Sequence, residues 1–449
     1  MKVKLLKAAL FIFAAAGMTW ALARFGFDRE SEWSTRSPEA LAAFQEGLDS
    51  HLRFYETEAA ASFRRAVELD PEFAAARVQL AIATRQPEER KQLVEGLGAT
   101  DLSRLSVRER LLVEMALANR DLERQAGIAA RALAERPDDP WVLMSAATVA
   151  WEREEFSEAE RLYRALLEVD PNWVTAHNHL GYLAMSRARL DESEAHFRTY
   201  AFVAPDQANP HDSLGELLAL RGRYDEARSE LERALAEKPD FCASYITLVG
   251  IAIFEGRSDA FAPIVERARQ NCPEPLVSEL ECDSRLIAAF LEQDPDRPWR
   301  EAFIECAGKP GERGLLMHRL ALLSGRVDEA AAEEAAIGAA KAGADMNDYG
   351  KGRSRRREVE LLHEEGVRAL LAGHAGEAAE KFRAADAGAI YWGVSEGRFK
   401  LFNLIHLATA LERANDPEGS RRALEAVRKV NPAFADLYPK IVRDVPRGR

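Results

Sequence analysis

Gly393-Val394-Ser395-Glu396-Gly397 fits G-x-S-x-G, the turn on which many hydrolases raise a nucleophilic serine. That chemistry needs a strand before the serine, a helix after it, and an acid and a histidine farther along. Ala389–Trp392 is a possible short strand and His406 follows, so a hydrolase with Ser395 as nucleophile stands as a remote reading. Helical pattern on both sides leaves no room for the sheet beneath. An ordinary loop between helices is the better account.

Other chemistry is sparse. The chain has no G-x-x-x-x-G-K-[ST], no H-E-x-x-H and no G-x-G-x-x-G, so no cofactor, metal or further catalytic residue is expected. His177 and His179 stand two apart on a helix, where side chains diverge by about 200° and cannot share a metal directly. His196 and His211 fall on other helices and read as packing or surface residues. Four cysteines, Cys242, Cys272, Cys282 and Cys306, lie in one segment without a C-x-x-C pair.

The elements that would hold these residues follow a beat. Pro137, Pro171, Pro205, Pro239 and Pro273 recur at one fixed interval. Leu180-Gly181 answers Leu214-Gly215, and Gly222 answers Gly256. Tyr163, Phe197 and Leu231 share one phase. A period of about 34 residues means stacked two-helix units. Within residues 208–241, Leu214, Gly215 and Leu218 mark one side of a first helix, and Ala227, Leu231 and Ala234 one side of a second. Small Gly215 and Ala227 let the pair close, and Pro239 ends the second helix.

The run Leu214-Gly215…Gly222-Arg223-Tyr224…Ala227…Leu231…Ala234…Pro239 resembles a tetratricopeptide repeat (TPR), with Leu231 in place of the usual second-helix aromatic. Residues 140–173, 174–207 and 242–275 match less fully, with Ser193 and Phe261 where alanine is usual. The resemblance implies an all-α protein, an α-solenoid of stacked two-helix hairpins with a right-handed superhelix. It divides the chain into a 24–39 linker, a TPR array over 40–275, an irregular helical connector over 276–310 and a degenerate TPR-like array over 311–449. A slip in the register places an irregular or shortened unit near Gln86–Asp101. Gly366, Gly373, Ala378, Phe382 and Ala385 keep the frame, and the last unit is read over 401–434. In that frame Cys242 opens a first helix and Cys272 closes the second helix of the same hairpin. A Cys242–Cys272 disulfide is therefore expected, with Cys282–Cys306 as the remaining pair; four buried thiols are the open alternative.

In such stacks the first helix of each unit lines a concave binding face. Positions 2, 5, 9 and 12 of that helix form one stripe by spacing, expected to be exposed. They are Trp141, Met144, Thr148 and Trp151, then Thr175, Asn178, Tyr182 and Met185, then Asn209, Asp212, Glu216 and Ala219, with His179 and Ser213 beside them. Rings and methionines next to amides and carboxylates suit a peptide or a partner helix. Trp141 and Trp151 also read as core between units. TPR domains that clamp a terminal carboxylate carry Lys, Arg and Asn in these slots, whereas the slots of 140–275 hold no Lys or Arg. A neutral or basic protein or peptide partner is expected, rather than a free carboxylate terminus.

Lys2, Lys4 and Lys7 precede the uncharged run Ala8–Ala23, which ends Ala21-Leu22-Ala23 before Arg24. This reads as a secretory signal peptide, residues 1–23, cleaved after Ala23. A signal anchor over residues 5–23 is the rival, and would be the chain's membrane contact. Either way the body is expected outside the cytoplasm, periplasmic or extracellular. A net charge of −13 argues against nucleic acid, and the basic cluster Arg353–Arg357 reads as solvated surface. The function expected is a non-enzymatic, exported bacterial scaffold that binds a protein or peptide in its groove. The alternative is a membrane-anchored envelope subunit of a permanent complex.

Overall fold

The computed structural model describes residues 33–281 and 349–436, apart from Arg120, Glu279 and Trp392. Every regular element among them is a helix. The expected signal or anchor, most of the connector, and Cys282 with Cys306 lie outside the described residues. No described helix is long and apolar enough to cross a membrane. The chain divides into two compact units, Met1–Trp173 and Val174–Arg449, each taken here by itself.

In the first unit, α1 (Pro38–Leu52) pairs with α2 (Glu56–Leu69), and α3 (Ala74–Ala83) with α4 (Pro87–Leu97). Then α5 (Val107–Ala118) pairs with α6 (Leu122–Glu135), and α7 (Pro140–Glu152) with α8 (Phe156–Val169). Short polar side chains set the starts. Ser37, Ser106, Asp121 and Asp139 accept from first-turn N–H groups of α1, α5, α6 and α7, satisfying donors that a helix start leaves over. The shortened unit expected near Gln86–Asp101 is the α3–α4 hairpin, with helices of 10 and 11 residues.

The end of the expected linker is tied down rather than free. Trp33 is buried, its ring 4.8 Å from Phe44. Ser34 donates from N and Oγ to Glu109 at 2.9 and 2.8 Å, and Ala75 N–H donates to the same carboxyl at 3.1 Å. Three donors offset much of the cost of burying Glu109, although desolvation still raises its pKa. A polar string hides such docking from sequence inspection because its partners are 35 to 75 residues away.

The second unit opens with α9 (Val174–Ser186) on α10 (Leu190–Val203), α11 (Ala208–Leu220) on α12 (Tyr224–Glu237), and α13 (Ala243–Glu255) followed by α14 (Phe261–Asn271). It continues with α15 (Tyr349–Leu371) on α16 (Ala375–Gly388), and α17 (Gly393–Arg413) on α18 (Pro417–Val430). The last hairpin thus begins before residue 401. A Cβ on Gly215 would stand 2.8 Å from Leu231, and one on Gly366 2.7 Å from Phe382. This close approach is why the first helix carries glycine there. Cys242 and Cys272 form a disulfide with Cα atoms 5.9 Å apart.

The turn between paired helices repeats as well. Glu154, Ala188, Gly222 and Gly256 hold the same slot in consecutive repeats, and all have positive φ, from 58 to 75°. The repeat imposes this left-handed residue whether or not glycine supplies it.

Candidate functional site

The stripe positions lie on first helices of hairpins in each unit, on α7 in the first and on α9 and α11 in the second. In the first unit Asp139 accepts from Trp141 N–H and Val142 N–H and fixes the start of α7. Arg108 pairs with Asp139 at 3.0 Å and lies 5.8 Å from the ring centroids of both Trp33 and Trp141. Trp141 also meets Trp173 edge-on at 5.6 Å. Trp141 is thus held in an aromatic cluster. Trp151 packs on Phe156 and Tyr163 of its own hairpin. Met144 and Thr148 complete the α7 stripe, and all four side chains are half-buried.

In the second unit the stripe is not exposed, contrary to expectation. Thr175, Asn178, Met185, Asn209, Asp212 and Ala219 are buried, and Tyr182, His179 and Glu216 half-buried. A hydrogen-bonded seam runs through Asn178, Tyr182, Asp212, Ser213, Glu216 and Ser244. Tyr182 OH donates to Glu216 Oε2 at 2.7 Å, Ser213 Oγ to Asn178 Oδ1 at 3.1 Å, and Ser244 Oγ to Asp212 Oδ1 at 2.7 Å. Each bond runs from one hairpin to the next. Desolvation and then the Glu216 charge push the Asp212 carboxyl up to about 8. Desolvation, with Glu216 and Asp212 adding, raises the Tyr182 hydroxyl well above its usual range.

What covers the α11 part is the chain itself. Helix α17 packs across α11 and α13. A Cβ on Gly393 would stand 3.0 Å from Glu216 Oε1, and one on Gly397 2.6 Å from Leu220 Cδ1. Both pairs are spaced i, i+4, so each forms a single stripe on its helix. Beyond α18, Asn431 Oδ1 accepts from Tyr224 OH at 3.1 Å, while Phe434 meets Phe254 of α13 at 5.3 Å.

The serine motif is therefore explained by packing. No strand is formed over Ala389–Tyr391, and Ser395 lies in the first turn of α17. The expected loop is a helix start instead, and its two glycines are the notch that lets α17 approach α11. His406 is buried in a chain with His363 Nε2 at 3.3 Å and His363 Nδ1 to Asn403 Oδ1 at 2.8 Å. Asn403 Nδ2 in turn donates to the Phe382 carbonyl at 2.9 Å. Nothing in the sequence singles out His363 or Asn403, because their partners come from other helices. His177 Nδ1 lies 3.2 Å from His196 Nδ1, and His211 sits between Glu230 and the Pro205 carbonyl. Among the described residues no three His, Cys, Asp or Glu side chains gather as a metal's ligands.

Residues 144–212 match the tetratricopeptide repeat family. No curated protein matches the chain. Similar solved structures include a tetratricopeptide repeat protein from Parabacteroides merdae, 16% identical, covering 54% of this chain and 98% of that one at a TM-score of 0.36. A thermophilic TPR protein of Thermus thermophilus is 22% identical, covering 37% and 90% at a TM-score of 0.32. YrrB, described as a TPR protein with an unusual peptide-binding site, is 15% identical, covering 50% and 99% at a TM-score of 0.31. The matched segment is of tetratricopeptide repeats, and the described residues around it form helical hairpins that share its left-handed turn.

Proposed function

We infer that this protein is a non-enzymatic scaffold that holds a protein partner on the inner face of its repeats. One observation carries the reading: the α11 and α13 face already receives a helix, α17, with glycines against Glu216 and Leu220. A pre-ordered face of this kind binds without first having to order itself. Glu216 and Asp212 line it, and the groove slots hold no Lys or Arg, so the partner is neutral or basic where it meets the face. The basic start and A-x-A end of residues 1–23 support export, with the partner in the cell envelope.

Site-directed photo-crosslinking tests this. A photoreactive residue replaces Met144 on the inner side of α7, or Phe202, which is 84% exposed on α10. With the envelope fraction of the source organism, position 144 is expected to label one protein that position 202 does not. Equal labelling at both, or none at 144, overturns the reading.

A further inference from the structure

We propose that α17 is an internal ligand: it occupies the docking surface of α11 and α13, and a partner helix with small residues four apart displaces it. This rests on the scaffold reading above and names the kind of partner.

The placement of α17 is the first reason. In the stack, α11 packs on its hairpin mate α12 and on α13 of the next hairpin. Helix α17 belongs to neither hairpin. It lies on the groove side of α11, where the stripe positions Glu216 and Ala219 sit.

The contact itself is the second reason. Gly393 faces Glu216 and Gly397 faces Leu220, so the two helices run in the same direction with a glycine notch between them. Without side chains on that stripe, the backbone of α17 comes close to α11, and any larger residue there would hold it off. A foreign helix fits only with the same small pair, which gives the surface its selectivity.

The third reason is that α17 brings its own support. Phe382 of α16 fills the space beside Gly366 of α15, and Asn403 of α17 bonds to the Phe382 carbonyl and to His363 of α15. The hairpins α15–α16 and α17–α18 therefore hold one another, while α11 and α13 keep their own hairpin partners.

The test uses the full chain and a fluorescent peptide of residues 393–413, beside a scrambled control. Hydrogen exchange on the wild-type protein should show α17 amides exchanging at least about tenfold faster than those of α11, because the contact opens below global unfolding. The Gly397→Leu variant, which wedges α17 from Leu220, should bind the peptide at least about tenfold more tightly than wild type, since its competitor is displaced. Exchange of α17 in step with α11 overturns the proposal. So does a Gly397→Leu protein of wild-type helicity that takes up no more peptide than wild type or binds the scrambled control equally. Should that variant not fold, the wild-type exchange result decides alone. Neither measurement needs an outside partner, so a failed crosslink at position 144 leaves this outcome intact.

Discussion

Tyr182 and Glu216 occupy the same position of consecutive hairpins, and the tyrosine hydroxyl donates to the carboxylate at 2.7 Å. The bond crosses from α9 to α11, so the inner stripe is itself part of what holds the hairpins in register. A face that is both structural seam and docking surface constrains what can be substituted there.

Tyr182→Phe keeps the ring against Phe197, 5.1 Å away, and removes only the hydroxyl. It leaves Glu216 short of a donor and is expected to cost about 1.5–3 kcal/mol, the range for bonds to charged groups. The midpoint of urea unfolding should fall with an unchanged m-value.

Asp212 sets a pH dependence. Its carboxyl is raised from 3.8 to about 8 by desolvation and then by Glu216. Below about pH 4 folded and unfolded chains both hold this proton. Between there and about pH 8 the unfolded chain gives it up while the folded one keeps it. Stability therefore falls as pH rises through that window. Asp212→Asn should flatten this part of the profile, read by thermal unfolding at intervals of pH.

Ser193 stands where Ala159 and Ala227 stand in neighbouring repeats, and all three are fully buried. Its hydroxyl has no hydrogen-bond partner among the described residues. Ser193→Ala removes an unsatisfied polar group from the core and should stabilise the protein by about 1 kcal/mol. A fall in melting temperature would refute this account of the position.

The turn slot allows a paired test. Ala188 has φ 58° and Gly222 φ 75°. A left-handed alanine costs roughly 1–2 kcal/mol, partly offset by the greater freedom glycine has when unfolded. Ala188→Gly should stabilise by roughly 0.5 kcal/mol, a net of those two effects. Gly222→Ala should destabilise by more, because its Cβ would also collide with Asn431. Calorimetry on the two variants should show shifts of opposite sign.

The Cys242–Cys272 bond closes a loop with 30 residues of separation. Loop-closure entropy for that length amounts to about 3–4 kcal/mol. The Cys242→Ser/Cys272→Ser variant should unfold at correspondingly lower denaturant, and a reducing agent should weaken the wild type more than the variant.

The sequence by itself determined the unit. Prolines one repeat apart, glycine at 181 and 215 and small residues at 159 and 227 are local to one hairpin, so they can be read without knowing where that hairpin lies. The Cys242–Cys272 pairing was legible for the same reason, since both residues belong to one hairpin. Only the tertiary structure decided what meets the inner face. Gly393 and Gly397 look like a catalytic turn in the sequence, and become a packing notch once α17 is laid on α11. Asp212 and Glu216 look exposed by their spacing, yet Asp212 is buried beside Ser244 of the next hairpin and Glu216 is half-buried against α17 from far along the chain. Periodicity records which side of a helix a residue occupies. It does not record which distant segment covers that side, because that depends on contacts such as Gly393 with Glu216, between helices that no local pattern links.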